Sequence, residues 1–249
     1  MGLERALVVG MGEVGRRLAS ALAATGVEVV PVTRDAGWDA VRADPRSPLL
    51  LCVREEALPP LLDRLRGTDP ARLVLVQNGW IRPLLAGLEG CTRGLVWFTS
   101  KGEFFRVLRP SPFAGPLAAP LAAALEAGGI AAAAVPPAAF GALDAEKMGF
   151  NCVVGLPLAV HGLALGEYLD RHGAEAEALF AESAGTCARA LGAAADPEWW
   201  PTFLRACEPL GWVRASAAKA LEYRSGAVLR LAREQGVAVP VTERLLAAL

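Results

Sequence analysis

The sequence predicts a two-domain α/β protein, in which a domain built on a parallel sheet is followed by an all-helical C-terminal domain. In the first half, apolar runs typical of strands alternate with helical stretches. Beyond about Asp144 helical periodicity continues without a convincing strand, and Pro136-Pro137 interrupts the pattern just before that change. Because strands interleaved with helices form a parallel sheet covered on both faces, we predict domains over residues 1–140 and 141–249.

The individual elements follow from the same runs. We predict strands at residues 6–9, 27–32, 49–53, 73–76, 95–98 and 130–135. Helices are predicted between them at residues 14–24, 56–66, 81–88 and 117–127, and residues 104–112 predict an antiparallel excursion. The second domain is predicted to contain helices at residues 145–165, 174–191, 201–207 with 213–234, and 241–249, the first capped by Asp144.

Composition and charge exclude several classes of protein. The chain has 249 residues, of which 53% are hydrophobic, so it is long and apolar enough for globular domains. Its formal net charge of −1 provides no basic field for a nucleic acid or an anionic membrane. We find no uninterrupted apolar stretch long enough to span a bilayer and no secretory signal at the N-terminus, so we expect a cytoplasmic protein.

Cysteine and histidine usage predicts neither a disulfide framework nor a metal site. The five cysteines are widely spaced and contain no C-x-x-C pair. His161 and His172 are the two histidines, and we identify no acidic or cysteine partner for them at metal-ligand spacing. We therefore expect these histidines to be structural or exposed, and no metal to bind.

A glycine-rich loop follows the first predicted strand. That strand leads directly into Gly10-Met11-Gly12-Glu13-Val14-Gly15 and then into a helix, which is the context that the dinucleotide-binding fingerprint requires. The first glycine permits the tight turn, the second lets the backbone approach a pyrophosphate, and the third lets the helix pack on the strand. A bare glycine turn is the alternative, but the β-α-β context favours nucleotide binding by a Rossmann-like domain.

The end of the second strand indicates which dinucleotide binds. Proteins that bind NAD usually place Asp or Glu there to hold the ribose hydroxyls, whereas this chain has Thr33-Arg34. A guanidinium suits the 2′-phosphate of the adenosine, which favours NADPH or NADP⁺. If the loop turns one residue later, Asp35 binds the ribose and Arg34 is an ordinary solvated residue.

Lys147 and Asn151 form a pair at the start of the helical half. They are four residues apart and so lie on one face of a helix. In a carbonyl reduction negative charge builds on oxygen, to which an ammonium group can donate a proton while a neighbouring amide holds the substrate. Spacing alone fits a solvated lysine and a surface asparagine better.

Several separated segments together resemble the ketopantoate reductase (2-dehydropantoate 2-reductase) family. These segments are the glycine loop with Arg34, Val76-Gln77-Asn78-Gly79, residues 146–154, and Gly236-Val237-Ala238-Val239-Pro240 with Thr242. The resemblance covers most of the chain. It implies a Rossmann-like parallel-sheet domain followed by an all-helical domain for substrate and dimerisation. It also implies the NADPH-dependent reduction of 2-dehydropantoate to pantoate in pantothenate biosynthesis.

The resemblance implies roles for particular residues. Lys147 would be the general acid, Asn151 a substrate contact, and Asn78 a residue near both the nicotinamide and the substrate carbonyl. Gln77 would belong to a turn that faces the cofactor, and Arg54 would meet a cofactor phosphate or ribose. Lys101 lies in a segment that matches the family loosely, and we interpret it as a loop charge.

Departures from the family pattern leave the substrate open. Gly155 stands where the family commonly has a second asparagine, and Glu208 and Ala220 fall where its substrate-binding serine and glutamate would lie. Ser216 and Glu222 are nearby and are candidate substrate residues. The alternatives are a related NADP-dependent reductase of another oxo or hydroxy acid and a non-catalytic NADP(H)-binding regulatory protein. The apolar helices of the second half also allow a homodimer.

Overall fold

A computed structural model describes residues 2–215 and 220–249. The chain forms two compact units, one comprising Met1–Gln77 with Ile81–Phe140 and the other Asn78–Trp80 with Gly141–Leu249. The predicted fold class, a Rossmann-like parallel-sheet domain followed by an all-helical part, is confirmed. Within the described residues, no helix combines the length and the apolar character that crossing a membrane requires.

The first unit is built on a seven-stranded sheet. Its strands are β1 (Arg5–Val9), β2 (Glu28–Val32), β3 (Leu49–Leu51), β4 (Leu73–Leu75), β5 (Thr92–Gly94), β8 (Ser111–Ala114) and β9 (Ala132–Ala134), and β6 (Phe98–Lys101) and β7 (Phe104–Val107) form a separate hairpin. The strand order is β2-β1-β3-β4-β5-β8-β9; the first five strands are parallel, and β8 is antiparallel to β5. Four helices connect the strands: α1 (Glu13–Ala24), α2 (Trp38–Ala43), α3 (Leu58–Arg64) and α4 (Ala118–Ala127).

The sheet positions the glycine loop. Strand β3 is completely buried, as expected for a parallel strand covered on both faces, and Leu18 and Leu22 of α1 pack into the core on the sheet with Leu121 and Leu125 of α4. Strand β1 lies between β2 and β3, so the chain leaves it first to one side and later to the other. The carboxyl end of β1 is therefore a topological switch point, where open α/β sheets bind ligands.

Two predicted elements of this unit are wrong. The sequence predicts a strand over residues 95–98, but residues 95–97 lie between β5, which ends at Gly94, and β6, which begins at Phe98. A Cβ at Gly94 would overlap the ring of Phe113, so β5 can pair with β8 here because position 94 has no side chain. Residues 81–88 contain only a 3₁₀ turn, Arg82–Leu85, instead of a helix. Helix α2 was not predicted. The antiparallel excursion predicted over residues 104–112 corresponds to β7, which is antiparallel to β6, and to the start of β8, which is antiparallel to β5.

The rest of the described chain is helical. Its helices are α5 (Pro137–Val153), α6 (Leu156–His161), α7 (Leu165–Ala190), α8 (Trp199–Cys207), α9 (Ser225–Gln235) and α10 (Pro240–Ala247). Asp144 is not the cap of the first of these, because α5 begins at Pro137, where a missing backbone N–H costs nothing. The single helix predicted over residues 145–165 is interrupted at Gly155, and the one over residues 213–234 begins only at Ser225. Helix α7 has a non-helical residue, His172.

Candidate functional site

Gly10 begins the loop after β1 and tolerates no side chain. Its φ of +92° lies in the left-handed region, and a Cβ there would be 2.9 Å from the carbonyl oxygen of Cys52. Its backbone amide donates a 2.9 Å hydrogen bond to the carbonyl of Val32. The loop is thus held against the carboxyl ends of both β2 and β3.

Gly15 and Gly12 have opposite surroundings. A Cβ at Gly15 would overlap the carbonyl oxygen of Gly10, so this glycine lets α1 start directly over the turn. A Cβ at Gly12 would meet no described atom within 4 Å, and Gly12 is the N-cap of α1 without a side-chain capping bond. Helix N-terminal amides that face open space favour an anion, so this loop fits the pyrophosphate of a dinucleotide.

The side chains of the glycine loop contact other parts of the protein. Glu13 accepts a 2.9 Å hydrogen bond from the hydroxyl of Ser100 and a 3.1 Å bond from Arg16. The bond from Ser100 is the largest of the causes that lower the pKa of Glu13. Met11 and Val14 pack against the apolar core of the sheet. The loop therefore offers a ligand its backbone rather than its side chains.

Two charged residues follow β2. Arg34 and Asp35 are both exposed, and neither forms an ion pair with any described residue. The turn that carries them is closed by a 2.9 Å hydrogen bond from the Thr33 amide to the Ala36 carbonyl, and the Trp38 indole donates a 2.8 Å bond to the Thr33 carbonyl. Both side chains are accessible at the edge of the sheet where β2 ends.

Arg54 and Gln77 follow the next two strands. Arg54 is exposed directly after β3. Gln77 is buried after β4, and its amide nitrogen donates bonds of 2.6 Å to the carbonyl of Leu51 and 3.1 Å to that of Val53. Its Oε1 is buried without a hydrogen-bond partner among the described residues. Gln77 thus braces the ends of β3 and β4, and its oxygen is the atom left to accept a bond.

The turn Asn78–Trp80 belongs to the second unit. The Trp80 amide donates a 2.6 Å hydrogen bond to the carbonyl of Tyr223, and a Cβ at Gly79 would be 2.5 Å from that same oxygen. The Oδ1 atom of Asn78 is buried and, among the described residues, has no hydrogen-bond partner. Asn78 is therefore part of the same unit as Lys147 and Asn151.

Lys147 and Asn151 are buried on α5, with only 5% and 6% of their surfaces exposed. The interpretation as a solvated lysine and a surface asparagine is therefore wrong. Lys147 Nζ lies 4.5 Å from the ring centroid of Phe150, which is a cation–π distance. Burial raises the pKa of the Cys207 thiol to about 12, and the charge of Lys147 opposes this shift. The Nδ2 of Asn151 finds no hydrogen-bond acceptor among the described residues.

The sequence places the other two candidate substrate residues close to Ala220, and the structure describes one of them. Ser216 lies outside the described residues, and Glu222 is exposed in the 3₁₀ turn Leu221–Tyr223. Gly155 follows the end of α5 and is the N-cap of α6, so it does not continue the helical face of Asn151. Ala220 has a φ of +49°, the only positive value at a non-glycine position in the described chain.

The second unit contains a side-chain cluster that the sequence did not predict. Glu175 Oε1 lies 2.8 Å from His161 Nε2, and the rings of His161 and His172 stack with centroids 4.2 Å apart. The expectation that these histidines lack an acidic partner is therefore wrong. The sequence contained one indication of this cluster, because Glu175 follows His172 by three residues and so lies on the same face of a helix. The position of His161 beside them depends on tertiary structure and could not be predicted from spacing.

Comparison with solved structures shows that the fold of this chain is similar to the folds of several ketopantoate reductases and of a D-mandelate dehydrogenase. A PanE/ApbA family ketopantoate reductase from Ralstonia eutropha JMP134 matches with a TM-score of 0.75 and 20% identity, over 98% of this chain and 96% of that one. A D-mandelate dehydrogenase solved with NADH matches with a TM-score of 0.74 and 15% identity, over 98% of this chain and 97% of that one. A dimeric ketopantoate reductase from Staphylococcus aureus matches with a TM-score of 0.74 and 15% identity, over 98% of this chain and 96% of that one.

These matches confirm the predicted resemblance at the level of the fold. No protein-family profile matches the chain, and a comparison with curated proteins finds no match.

Proposed function

We propose that this protein is an NADPH-dependent reductase of a 2-oxo acid, with 2-dehydropantoate as the first substrate to test. The observation that carries the proposal is the burial of Lys147 and Asn151 one turn apart on α5, in a chain with the fold of ketopantoate reductases. Lysine and asparagine side chains are rarely buried unless they have a structural or functional role, because burying polar groups costs free energy. The reaction would make pantoate, and the pathway would be pantothenate biosynthesis.

The first unit is proposed to be the dinucleotide-binding domain, up to residue 140. Its support is the glycine loop, where Gly12 leaves open space at the uncapped N-terminus of α1. Arg34 and Arg54 are exposed after β2 and β3, at the same edge of the sheet, and suit the phosphates of NADPH. When bound, the reduced nicotinamide supplies the hydride.

The second unit, from residue 141, is proposed to supply the acid and the substrate contacts. Hydride addition to a ketone leaves negative charge on the oxygen, and the Lys147 ammonium donates the proton that completes the alcohol. Lys147 is left neutral and regains a proton from solvent. Asn151 and Asn78 each hold one buried polar atom without a partner among the described residues, so both suit hydrogen bonds to the substrate.

A different oxo acid is the second candidate substrate. Gly155 and Ala220 lack the polar groups that the ketopantoate reductase pattern places there, and the fold likeness extends to a D-mandelate dehydrogenase. The Phe150 ring beside Lys147 further favours a substrate with an apolar or aromatic side chain.

The test follows NADPH absorbance with purified protein and a panel of 2-dehydropantoate, pyruvate and benzoylformate, with NADH as the comparison cofactor. Oxidation of NADPH fastest with 2-dehydropantoate supports the first proposal, and a preference for benzoylformate supports the second. If NADPH binds but no oxo acid oxidises it, the protein is a non-catalytic NADP(H)-binding protein and the reductase proposal fails.

We also infer a small-molecule substrate and a homodimer, since a dimeric ketopantoate reductase shares the fold. Light scattering coupled to size-exclusion chromatography measures the mass of the protein in solution and so tests the dimer. A measured mass near 26.0 kDa, that of one chain, would contradict it.

A further inference from the structure

A cluster of His161, His172 and Glu175 lies in the second unit and has no part in the proposed reduction. His161 is the last residue of α6, His172 is the non-helical residue of α7, and Glu175 follows three residues later. One potential ligand atom from each residue can be chosen so that all three lie within 4.8 Å of one another. Three donors from two helices thus converge on one point.

The backbone around the cluster is arranged to bring the two rings together. Helix α7 is regular except at His172, where φ is −130° and ψ is 30°. At that position the imidazole stacks on His161 at 4.2 Å, with an angle of 23° between the ring planes. The kink in α7 therefore lies at the residue whose ring stacks on His161.

We propose that His161, His172 and Glu175 bind one divalent cation of the zinc class. Two imidazoles and one carboxylate are a donor set that zinc sites use. Zinc–ligand distances of about 2.0–2.2 Å place tetrahedral donors about 3.4 Å apart. Donor atoms that lie up to 4.8 Å apart therefore need to close by at most about 1.4 Å, whereas His161 Nε2 and Glu175 Oε1, which are 2.8 Å apart, need to separate slightly, and the stacked rings need to rotate apart. His161 and Glu175 are 22% and 13% exposed, which gives a cation a route in and leaves a position for water.

The surroundings of Glu175 suit a metal-binding carboxylate. Tyr168 donates a 3.1 Å hydrogen bond to Oε1, and its ring stacks against both imidazoles. Arg244 Nη1 lies 2.8 Å from Oε2, so its positive charge is paired with that oxygen. A cation bound at Oε1 would replace the 2.8 Å contact between Oε1 and His161 Nε2.

The test uses the full chain without an affinity tag, freed of metal by dialysis against a chelator and then titrated with Zn²⁺ against a chromogenic chelator. We expect one cation per chain. His172→Phe keeps an aromatic ring in the stack but offers no ligand, and Glu175→Gln keeps the size of the side chain. Each should weaken binding about 100-fold or more, since even groups behind the ligands contribute about 10- to 100-fold. Glu177→Gln makes the same change at an exposed residue two positions after Glu175 on α7. This variant is the matched control and should bind Zn²⁺ as tightly as the parent protein does.

A spectroscopic readout keeps the proposal testable if a variant folds poorly. The chain has two histidines, so both imidazole proton signals can be followed by NMR, and both should shift together as one equivalent of Zn²⁺ is added to the parent protein. Binding that leaves either histidine signal unchanged, such as binding through cysteines, would overturn the proposal. So would affinity unaffected by Glu175→Gln, or the absence of stoichiometric binding.

Discussion

The backbone amide of Trp80 donates a 2.6 Å hydrogen bond to the carbonyl oxygen of Tyr223, and this bond joins the turn after β4 to the 3₁₀ turn Leu221–Tyr223. The contact explains why a glycine precedes Trp80. Gly79 has a φ of +83°, and the Tyr223 oxygen occupies the space that a side chain would need. The turn also carries Asn78, so the same contact sets the position of a proposed substrate residue.

Gly79→Ala should therefore destabilise the protein strongly. The left-handed backbone costs an alanine about 1–2 kcal/mol, and the contact with Tyr223 adds to it, so we expect a loss of at least about 3 kcal/mol. Urea unfolding measures the change. Gly67→Ala is the matched control, because Gly67 has a φ of +85° with no atom within 4 Å of its Cβ position. Equal losses in the two variants would show that the Tyr223 contact is unimportant.

Gly12→Ala and Gly15→Ala should separate cofactor binding from folding. A Cβ at Gly15 overlaps the Gly10 carbonyl, so Gly15→Ala should lower the free energy of unfolding by several kcal/mol. Gly12→Ala enters open space and should cost less than about 1 kcal/mol, yet it should weaken NADPH binding about tenfold or more because the methyl group occupies the place proposed for the pyrophosphate. Fluorescence titration with NADPH checks the binding. Unchanged affinity in Gly12→Ala would place the phosphates elsewhere.

Arg34→Ala should change the preference between the two nicotinamide cofactors. A guanidinium bound to the 2′-phosphate contributes about 1.5–3 kcal/mol, so the KM for NADPH should rise about 10- to 100-fold while that for NADH stays nearly constant. Asp35→Ala is the neighbouring control and should affect neither cofactor much. If instead Asp35→Ala impairs NADH use and Arg34→Ala has no effect, Asp35 holds the ribose and Arg34 is a solvated residue.

Ser47→Ala should weaken the protein at neutral pH but not in acid. Hydrogen bonds from the hydroxyl and amide of Ser47 are the main causes that lower the pKa of Asp44 to about 2. An unfolded aspartate titrates near about 3.9, so the ionised Asp44 stabilises the fold above that pH, and the contribution is lost as the pH falls through about 2. Because the carboxylate is near solvent, the loss should be below about 1 kcal/mol.

Unfolding by urea at neutral pH and near pH 2 measures this difference. Ser20→Ala removes an exposed serine hydroxyl and should have the same small effect at both pH values. A deficit in Ser47→Ala that persists unchanged in acid would exclude Asp44 as its cause.

Local patterns predicted the parts of the fold that depend on local physics. The strand, glycine loop and helix around Gly10 follow from backbone geometry and steric exclusion within a few residues, and the structure has them within one residue of the prediction. Residues 95–97 are apolar and buried as a strand would be, but pairing selects β5 and β6 on either side. Gly94 fits beneath Phe113 only in the folded sheet, which no local pattern reveals.

The candidate site shows the same division. The four-residue spacing of Lys147 and Asn151 placed them on one face, but only the structure shows that both are buried. The attachment of Asn78 to the second unit depends on Tyr223, more than 140 residues away in the sequence. The cluster of His161 with Glu175 likewise forms across two helices, so spacing along the chain was an insufficient guide.

The central claim is that Lys147 donates the proton in a reduction by NADPH, and the most direct measurement is the rate of NADPH oxidation with the best 2-oxo acid in three proteins. Lys147→Met removes the ammonium and keeps an unbranched chain in the buried site, and Lys101→Met makes the same change at an exposed residue. We predict that Lys147→Met binds NADPH normally but loses kcat by about 100-fold or more, while Lys101→Met matches the parent. If the parent protein oxidises NADPH and the Lys147→Met variant does so with the same kcat, the account is contradicted.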